Sequence, residues 1–102
     1  MFEKLNGMTT CRMLMEILGY IVQYFHEDRF MPDTGFKHLY KSYSDALSYA
    51  KSQMTGYLNS FPNGLQGPYE AHTPTKKQTD ADGYAIVFRD ADIQIWIEAI
   101  IL

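Results

Sequence analysis

The stretch from Gly83 to Leu102 constrains the fold more than any other part of the chain. Between Ile93 and Ile97, isoleucines alternate with polar or aromatic residues, which is the period of two expected for a β-strand. A similar run, Tyr84–Arg89, precedes it, and the short segment Asp90–Asp92 joins the two. Two such runs predict a β-hairpin. Because an isolated hairpin is not stable in water, we expect further strands and a helix to pack against it.

Three other segments have a clear periodicity. Apolar positions between Tyr43 and Asn59 recur every three or four residues, which predicts an amphipathic helix. Ser42 and Asp45 stand where a helix N-cap and its capping partner are expected. The run Tyr20–His26 alternates and predicts a strand. After a turn that contains Pro and Gly, Phe36–Tyr40 predicts a second strand that returns beside the first.

The N-terminal part of the chain allows two interpretations. We expect residues 1–8 to be a loose leader. From Cys11 to Leu18 the sequence fits a short helix that a threonine caps and Gly19 ends. It fits equally a single long strand that passes through Gly19 with a β-bulge.

Residues 62–82 contain several Gly, Pro and Thr residues and predict a long loop, in which Tyr69–His72 is a candidate for a short edge strand. The predicted order is therefore strand, strand, helix, loop, strand, strand, with or without a short N-terminal helix. This order predicts one α+β domain over residues 1–102. Its four-stranded sheet would be mostly antiparallel, with the main helix packed on one face.

Composition narrows the class of protein. The 102 residues are 46% hydrophobic, and the formal net charge of -3 argues against binding to nucleic-acid phosphates. The single cysteine, Cys11, excludes an intramolecular disulfide and is typical of a reducing compartment. The longest apolar run, Met13–Phe25, is shorter than the roughly 20 residues that span a membrane. We expect a cytoplasmic protein, located in the host cytoplasm if a phage encodes it.

An excess of apolar side chains on the predicted sheet is the most informative functional feature. If the isoleucines of Ile93–Ile97 face the helix, Trp96 points away from it. The strand Tyr20–His26 carries apolar atoms on both sides and would extend the same surface. Exposed aromatic rings bordered by polar groups are typical of binding surfaces. The alternative is that the leading segment Met8–Leu18 covers this side of the sheet. The candidate residues are Trp96, Gln94, Glu98, Tyr20 and Tyr24.

We therefore expect a small, acidic, non-catalytic domain that binds a protein partner, or a second copy of itself through the sheet face or the C-terminal strand. Acidic residues in the predicted turns would contact a basic surface of the partner. Small acidic domains are common among phage and mobile-element inhibitors of bacterial defence systems that act by steric block. Size and charge alone suggest that class here. The acidic candidates are Asp80, Asp82, Asp90 and Asp92.

Two alternative functions remain open from the sequence. One is a small-ligand or nucleotide-binding module that uses residues 62–82 as a lid. The other is a metal-dependent enzyme, because histidines near carboxylates can bind a divalent metal or exchange protons. We expect no cofactor. The candidate ligand-binding residues are Tyr69, Lys76 and Lys77, and the candidate metal or acid–base residues are His26, Glu27, Asp28 and His38.

Overall fold

The structure is a computed structural model, and it describes residues 16–26, 29–31 and 38–101. Within these residues five strands form one antiparallel sheet in the order β2-β1-β5-β4-β3, and two helices accompany it. The predicted α+β class is confirmed. Neither helix of the described residues is long and apolar enough to cross a membrane. The elements are β1 (Ile17–His26), β2 (Arg29–Met31), α1 (Tyr43–Asn59), β3 (Glu70–Ala71), α2 (Lys76–Asp82), β4 (Tyr84–Arg89) and β5 (Ile93–Ile101).

The predicted C-terminal hairpin is present as β4 and β5. Its turn is closed by a backbone hydrogen bond of 3.0 Å from Asp90 N to Ile93 O. The alternation in β5 holds over its length, because Ile93, Ile95, Ile97 and Ala99 are buried while the residues between them are half-buried. The buried side faces the helices, as the sequence predicts.

A β-bulge in β4 changes the face that one side chain occupies. Tyr84, Ile86 and Phe88 alternate in the sequence as if they shared one side. The register between β4 and β5 shifts between Ile86 and Phe88, so that Ile86 lies opposite Trp96 but Phe88 lies opposite Ile95. Directly opposed residues of an antiparallel pair point to the same side of the sheet. Phe88 therefore joins the core, where it is fully buried, and Ile86 does not.

The strand interpretation of the N-terminal segment is confirmed where the structure describes it. β1 begins at Ile17 and runs through Gly19, with a register shift between these two residues in its pairing with β5. The helix predicted for Cys11–Leu18 is therefore wrong at its C-terminal end. A Cβ at Gly19 would stand 2.6 Å from Tyr40 O, so only glycine fits this close approach. Residues 1–15, including the predicted leader and Cys11, lie outside the described residues.

The second predicted strand, Phe36–Tyr40, is described only from His38 onward, and an earlier segment, Arg29–Met31, pairs with β1. β2 pairs with the end of β1, in the register Tyr24 with Met31 and His26 with Arg29. Tyr40 makes a single two-way bridge to Tyr20, with both N–O distances 2.7 Å. The chain therefore returns beside β1 directly after its end, and residues 36–37 of the predicted strand lie outside the described residues.

Helix α1 has the predicted bounds, Tyr43–Asn59. Its N-cap is Ser42, whose hydroxyl accepts a hydrogen bond of 3.3 Å from Asp45 N, as expected for a capping residue. Ala46 and Ala50 have no exposed surface. Because these side chains are small, the helix axis approaches the sheet closely over β1 and β5.

The long loop predicted for residues 62–82 is wrong over much of its length. Glu70–Ala71 forms β3 against Arg89 and Phe88, which confirms the short edge strand suggested by the sequence. Lys76–Asp82 forms α2. This helix begins with a capping box between Thr75 and Gln78 and ends at Gly83, whose φ of 89° is left-handed. Both signals are visible in the sequence and identify a helix.

Candidate functional site

The sheet has two different faces. The covered face carries the buried core and packs against both helices, since α1 buries Ala46 and Ala50 on it and α2 buries Thr79. The open face is the opposite side, and α2 reaches only its edge, where Asp82 lies. The alternative that Met8–Leu18 covers this face concerns residues that the structure describes only from residue 16. Cross-strand register places Gln23 and Ile86 on either side of Trp96 there. The open face is lined by Ile21, Gln23, Phe25, Tyr84, Ile86, Arg89, Gln94, Trp96 and Glu98.

Trp96 occupies the middle of the open face, as the sequence predicts. Its ring stacks on Tyr84, with centroids 4.6 Å apart and planes 17° apart. On its other side it meets Phe25 at 5.1 Å. The indole Nε1 donates a hydrogen bond of 2.8 Å to Gln94 Oε1. The ring is thus held by two aromatic neighbours and one hydrogen bond, while Tyr84 itself is 45% exposed.

A pocket of about 580 Å³ opens beside this aromatic pair. Its size lies within the ~300–1,000 Å³ typical of ligand pockets. Glu98 and Asp82 contribute carboxylates, and Gln23 Nε2 donates a hydrogen bond to Glu98 Oε1. Gln23 Oε1 is buried, and no described residue donates a hydrogen bond to it. The pocket combines aromatic surface with negative charge.

Tyr20 and Tyr24 do not share the open face. Tyr20 is 2% exposed and Tyr24 packs against the same core, so both belong to the covered face. The alternation of β1 instead brings Gln23 and Phe25 beside Trp96. The prediction that Tyr20 and Tyr24 share a face with Trp96 was wrong. A strand with apolar atoms on both sides does not reveal which side meets the helix.

The four candidate acids occupy different environments. Asp80 and Asp82 belong to α2 rather than to a turn. Asp90 is used internally: its Oδ1 accepts from the backbone N–H groups of Asp92 and Ile93 at 2.7 and 2.8 Å, and its Oδ2 accepts from the Tyr57 hydroxyl at 2.8 Å. Burial and the Asp90 hydrogen bond raise the pKa of Tyr57. Of the four, only Asp82 lines the pocket on the open face.

Asp80 is similarly committed to the fold. Its Oδ1 accepts a hydrogen bond of 2.6 Å from the Tyr20 hydroxyl, and its Oδ2 lies 2.6 Å from Lys76 Nζ. Burial, and then the bond to Asp80, raise the pKa of Tyr20. The hydrogen bond to Asp80 also raises the pKa of Lys76. This cluster ties α2 to β1 across the covered face.

The residues of the nucleotide hypothesis are not brought together around a pocket. Lys76 is paired with Asp80, and Lys77 is its exposed neighbour on α2. Tyr69 is 48% exposed and packs against Phe88 at 5.4 Å, next to β3. The proposed lid contains β3 and α2, and the rest of residues 62–82 is loop.

The residues of the metal hypothesis are only partly described. His26 ends β1, and His38 lies against Tyr40 with ring centroids 4.4 Å apart. Glu27 and Asp28 lie outside the described residues. Among residues 16–26, 29–31 and 38–101, no three His, Cys, Asp or Glu side chains are grouped closely enough to hold a metal ion.

Sequence reasoning missed Tyr84, Gln23 and Phe25 as members of the site. The alternation that places Trp96 on one face also reaches its cross-strand neighbours, but only when the register is known. No protein-family model, curated protein or solved structure matches this chain.

Proposed function

We propose that this chain is a non-catalytic interaction domain that binds another protein on the open face of its sheet. The observation that carries the proposal is the stacked pair of Trp96 and the 45%-exposed Tyr84, on a face that neither described helix covers. Tryptophan and tyrosine are the residue types that most often dominate binding energy at protein interfaces.

The aromatic pair is prepared for binding before a partner arrives. Trp96 is oriented by Gln94 and by contact with Phe25, so little side-chain freedom remains to be lost on association. Polar side chains surround the rings, with Gln23 and Glu98 on one side. An aromatic centre with a polar border is the usual anatomy of a transient interface.

Charge indicates what kind of surface the partner presents. The chain has a formal net charge of -3, and Glu98 and Asp82 lie next to the aromatic pair. A basic partner surface would be attracted over distance and aligned on contact. That the partner is a bacterial defence protein, blocked sterically by a phage or mobile-element inhibitor, stays a prediction from size and charge.

The test uses two equally exposed tyrosines. The tagged protein and its Tyr84→Ala and Tyr69→Ala variants are used for affinity capture from cells that naturally express the gene, and affinity for the captured protein is then measured with purified components. Tyr84→Ala is expected to weaken binding by about 30-fold, which corresponds to a hot spot of about 2 kcal/mol. Tyr69→Ala should change this affinity by less than about twofold, because Tyr69 is 48% exposed but lies beside β3.

Equal loss of affinity in the two variants would contradict the proposal, as would undiminished binding by Tyr84→Ala. Self-association is examined separately by sedimentation of the wild-type protein. A dimer that Tyr84→Ala dissociates would show that the open face binds a second copy of this chain, which would overturn the proposal of a different protein partner.

A further inference from the structure

The pocket on the open face, hereafter the Glu98 pocket, has an unusual charge balance. Two of its ten lining residues, Asp82 and Glu98, are acidic and none is basic. In the described part of the chain, neither carboxylate has a basic partner, and the contact of Glu98 is with the neutral amide of Gln23. The basic residue Arg89 lies opposite Gln94, further along the sheet, and pairs with Glu70 at 3.2 Å.

The aromatic side chains beside the pocket, Tyr84 and Trp96, also favour a cationic ligand. Tyr84 stands directly opposite Glu98 across the strands, and its ring is stacked on Trp96. A cation near the face of an aromatic ring is attracted by the ring's quadrupole, and a planar guanidinium can stack on it as well. A carboxylate beside such rings therefore favours a cationic group over a neutral one.

Gln23 contacts the carboxylate of Glu98. Its Nε2 donates to Glu98 Oε1 and so holds that carboxylate beside the aromatic rings. Because that amide is neutral, the negative charge of Glu98 stays available to a cationic ligand. A guanidinium has five N–H donors in one plane, whereas an ammonium is a compact point charge.

We propose that the Glu98 pocket binds an arginine side chain of the protein partner. This inference rests on the proposed function and identifies the anchor that the open face takes. The guanidinium donates to the Glu98 carboxylate, and its plane lies against the Tyr84–Trp96 pair. Asp82 contributes a second negative charge at the rim of the same pocket.

Binding at this site can be followed by intrinsic fluorescence, because Trp96 is the only tryptophan of the protein. The probe is N-acetyl-arginine amide, titrated into the full chain at low salt while Trp96 fluorescence is recorded. The neutral isostere N-acetyl-citrulline amide and the lysine analogue are titrated in parallel. We expect a saturable change with the arginine compound and weaker binding, by about tenfold, for the other two, since a charge-assisted hydrogen bond contributes about 1.5 kcal/mol.

Two variants locate the effect. Glu98→Gln should lower the affinity for the arginine compound by about tenfold. Asp92→Asn removes an exposed carboxylate at the hairpin turn, outside the pocket, and should leave the affinity within about twofold. Circular dichroism of each variant shows whether it is folded.

Equal responses to arginine and citrulline compounds, or an unchanged affinity in Glu98→Gln, would overturn the proposal. Equal affinity for the lysine compound would overturn the choice of a guanidinium. Failure of this inference can be told from failure of the proposed function. If Tyr84→Ala abolishes capture of the partner and Glu98→Gln does not, the open face binds the partner without an arginine anchor.

Discussion

The covered face and the open face are built on the same strands, but their side chains are held in different ways. On the covered face Ile95, Ile97 and Phe88 have no exposed surface, and the polar groups among them are paired, as in the bond from Tyr57 to Asp90. On the open face the rings of Trp96 and Tyr84 stack in partial contact with solvent. There the carboxylate of Glu98 contacts a neutral amide.

From this difference we infer that the covered face stabilises the fold and that the open face serves binding. Burial of aliphatic side chains on the covered face supplies the free energy of folding, since apolar area removed from water is the main favourable contribution. The open face retains interactions that another molecule can complete. Substitutions on the two faces should therefore affect unfolding free energy very differently, and three comparisons test this expectation.

The largest effect is expected for the fully buried Ile97. Ile97→Ala should lower the free energy of unfolding by about 2–5 kcal/mol, because it leaves a cavity between the sheet and α1. Ile86→Ala, the same change at a half-buried position of the open face, should cost less than half as much. Urea denaturation followed by circular dichroism measures both. Equal losses would mean that the open face is as tightly packed as the covered one.

A smaller effect, with a pH dependence, is expected for Tyr57. Tyr57→Phe removes the hydrogen bond to Asp90 Oδ2 and should cost about 1 kcal/mol at pH 7. Burial, together with that bond, raises the pKa of Tyr57 above its ordinary value, so the folded state favours the neutral phenol. This stabilisation is complete below pH ~10, the unfolded-state pKa, and is lost as the pH rises toward the folded-state value.

Unfolding free energies at pH 9 and pH 11 test the sign of this effect. The wild-type protein should lose more stability over that interval than Tyr57→Phe, which lacks the titrating group. Tyr69→Phe serves as the control, because Tyr69 is 48% exposed. An identical loss in wild type and Tyr57→Phe would show that this hydroxyl does not distinguish the folded from the unfolded state.

The smallest effect is expected for Glu98. Glu98→Gln replaces a carboxylate whose contact is the Gln23 amide, on the open face, and should change the free energy of unfolding by less than about 0.5 kcal/mol. The same urea titrations measure it. A loss of about 2 kcal/mol or more would show that Glu98 supports the fold, and the boundary drawn between the two faces would fail at this residue.

Much of the fold follows from local signals. The alternation Ile93–Ile97 predicts a strand with its isoleucines inward, and the three- and four-residue spacing predicts α1 with its Ser42 cap; both are observed. The same kind of signal announces α2, in the capping box of Thr75 and Gln78 with Gly83 beyond, although the surrounding Gly, Pro and Thr residues favoured a loop. Capping residues were the better guide there, because they act directly on the helix ends.

Non-local pairing decided the composition of the candidate site. The placement of Trp96 away from the helix could be predicted from β5 alone, because its polar and apolar residues alternate cleanly. Gln23 and Phe25 could not be chosen over Tyr20 and Tyr24, because β1 is apolar on both sides. The choice depends on which side the helix occupies, and that is a contact between residues far apart in the chain.

By itself, then, the sequence determined that this chain forms a strand hairpin, a capped helix and an α+β arrangement with Trp96 outside the main core. Only the tertiary structure decided that Tyr84 rather than Phe88 stacks on the indole, and that Asp82 and Glu98 line one pocket. The physical reason that Tyr84 and not Phe88 meets the indole is the bulge between Ile86 and Phe88. The bulge shifts the register by one residue and turns the side chains after it to the other face.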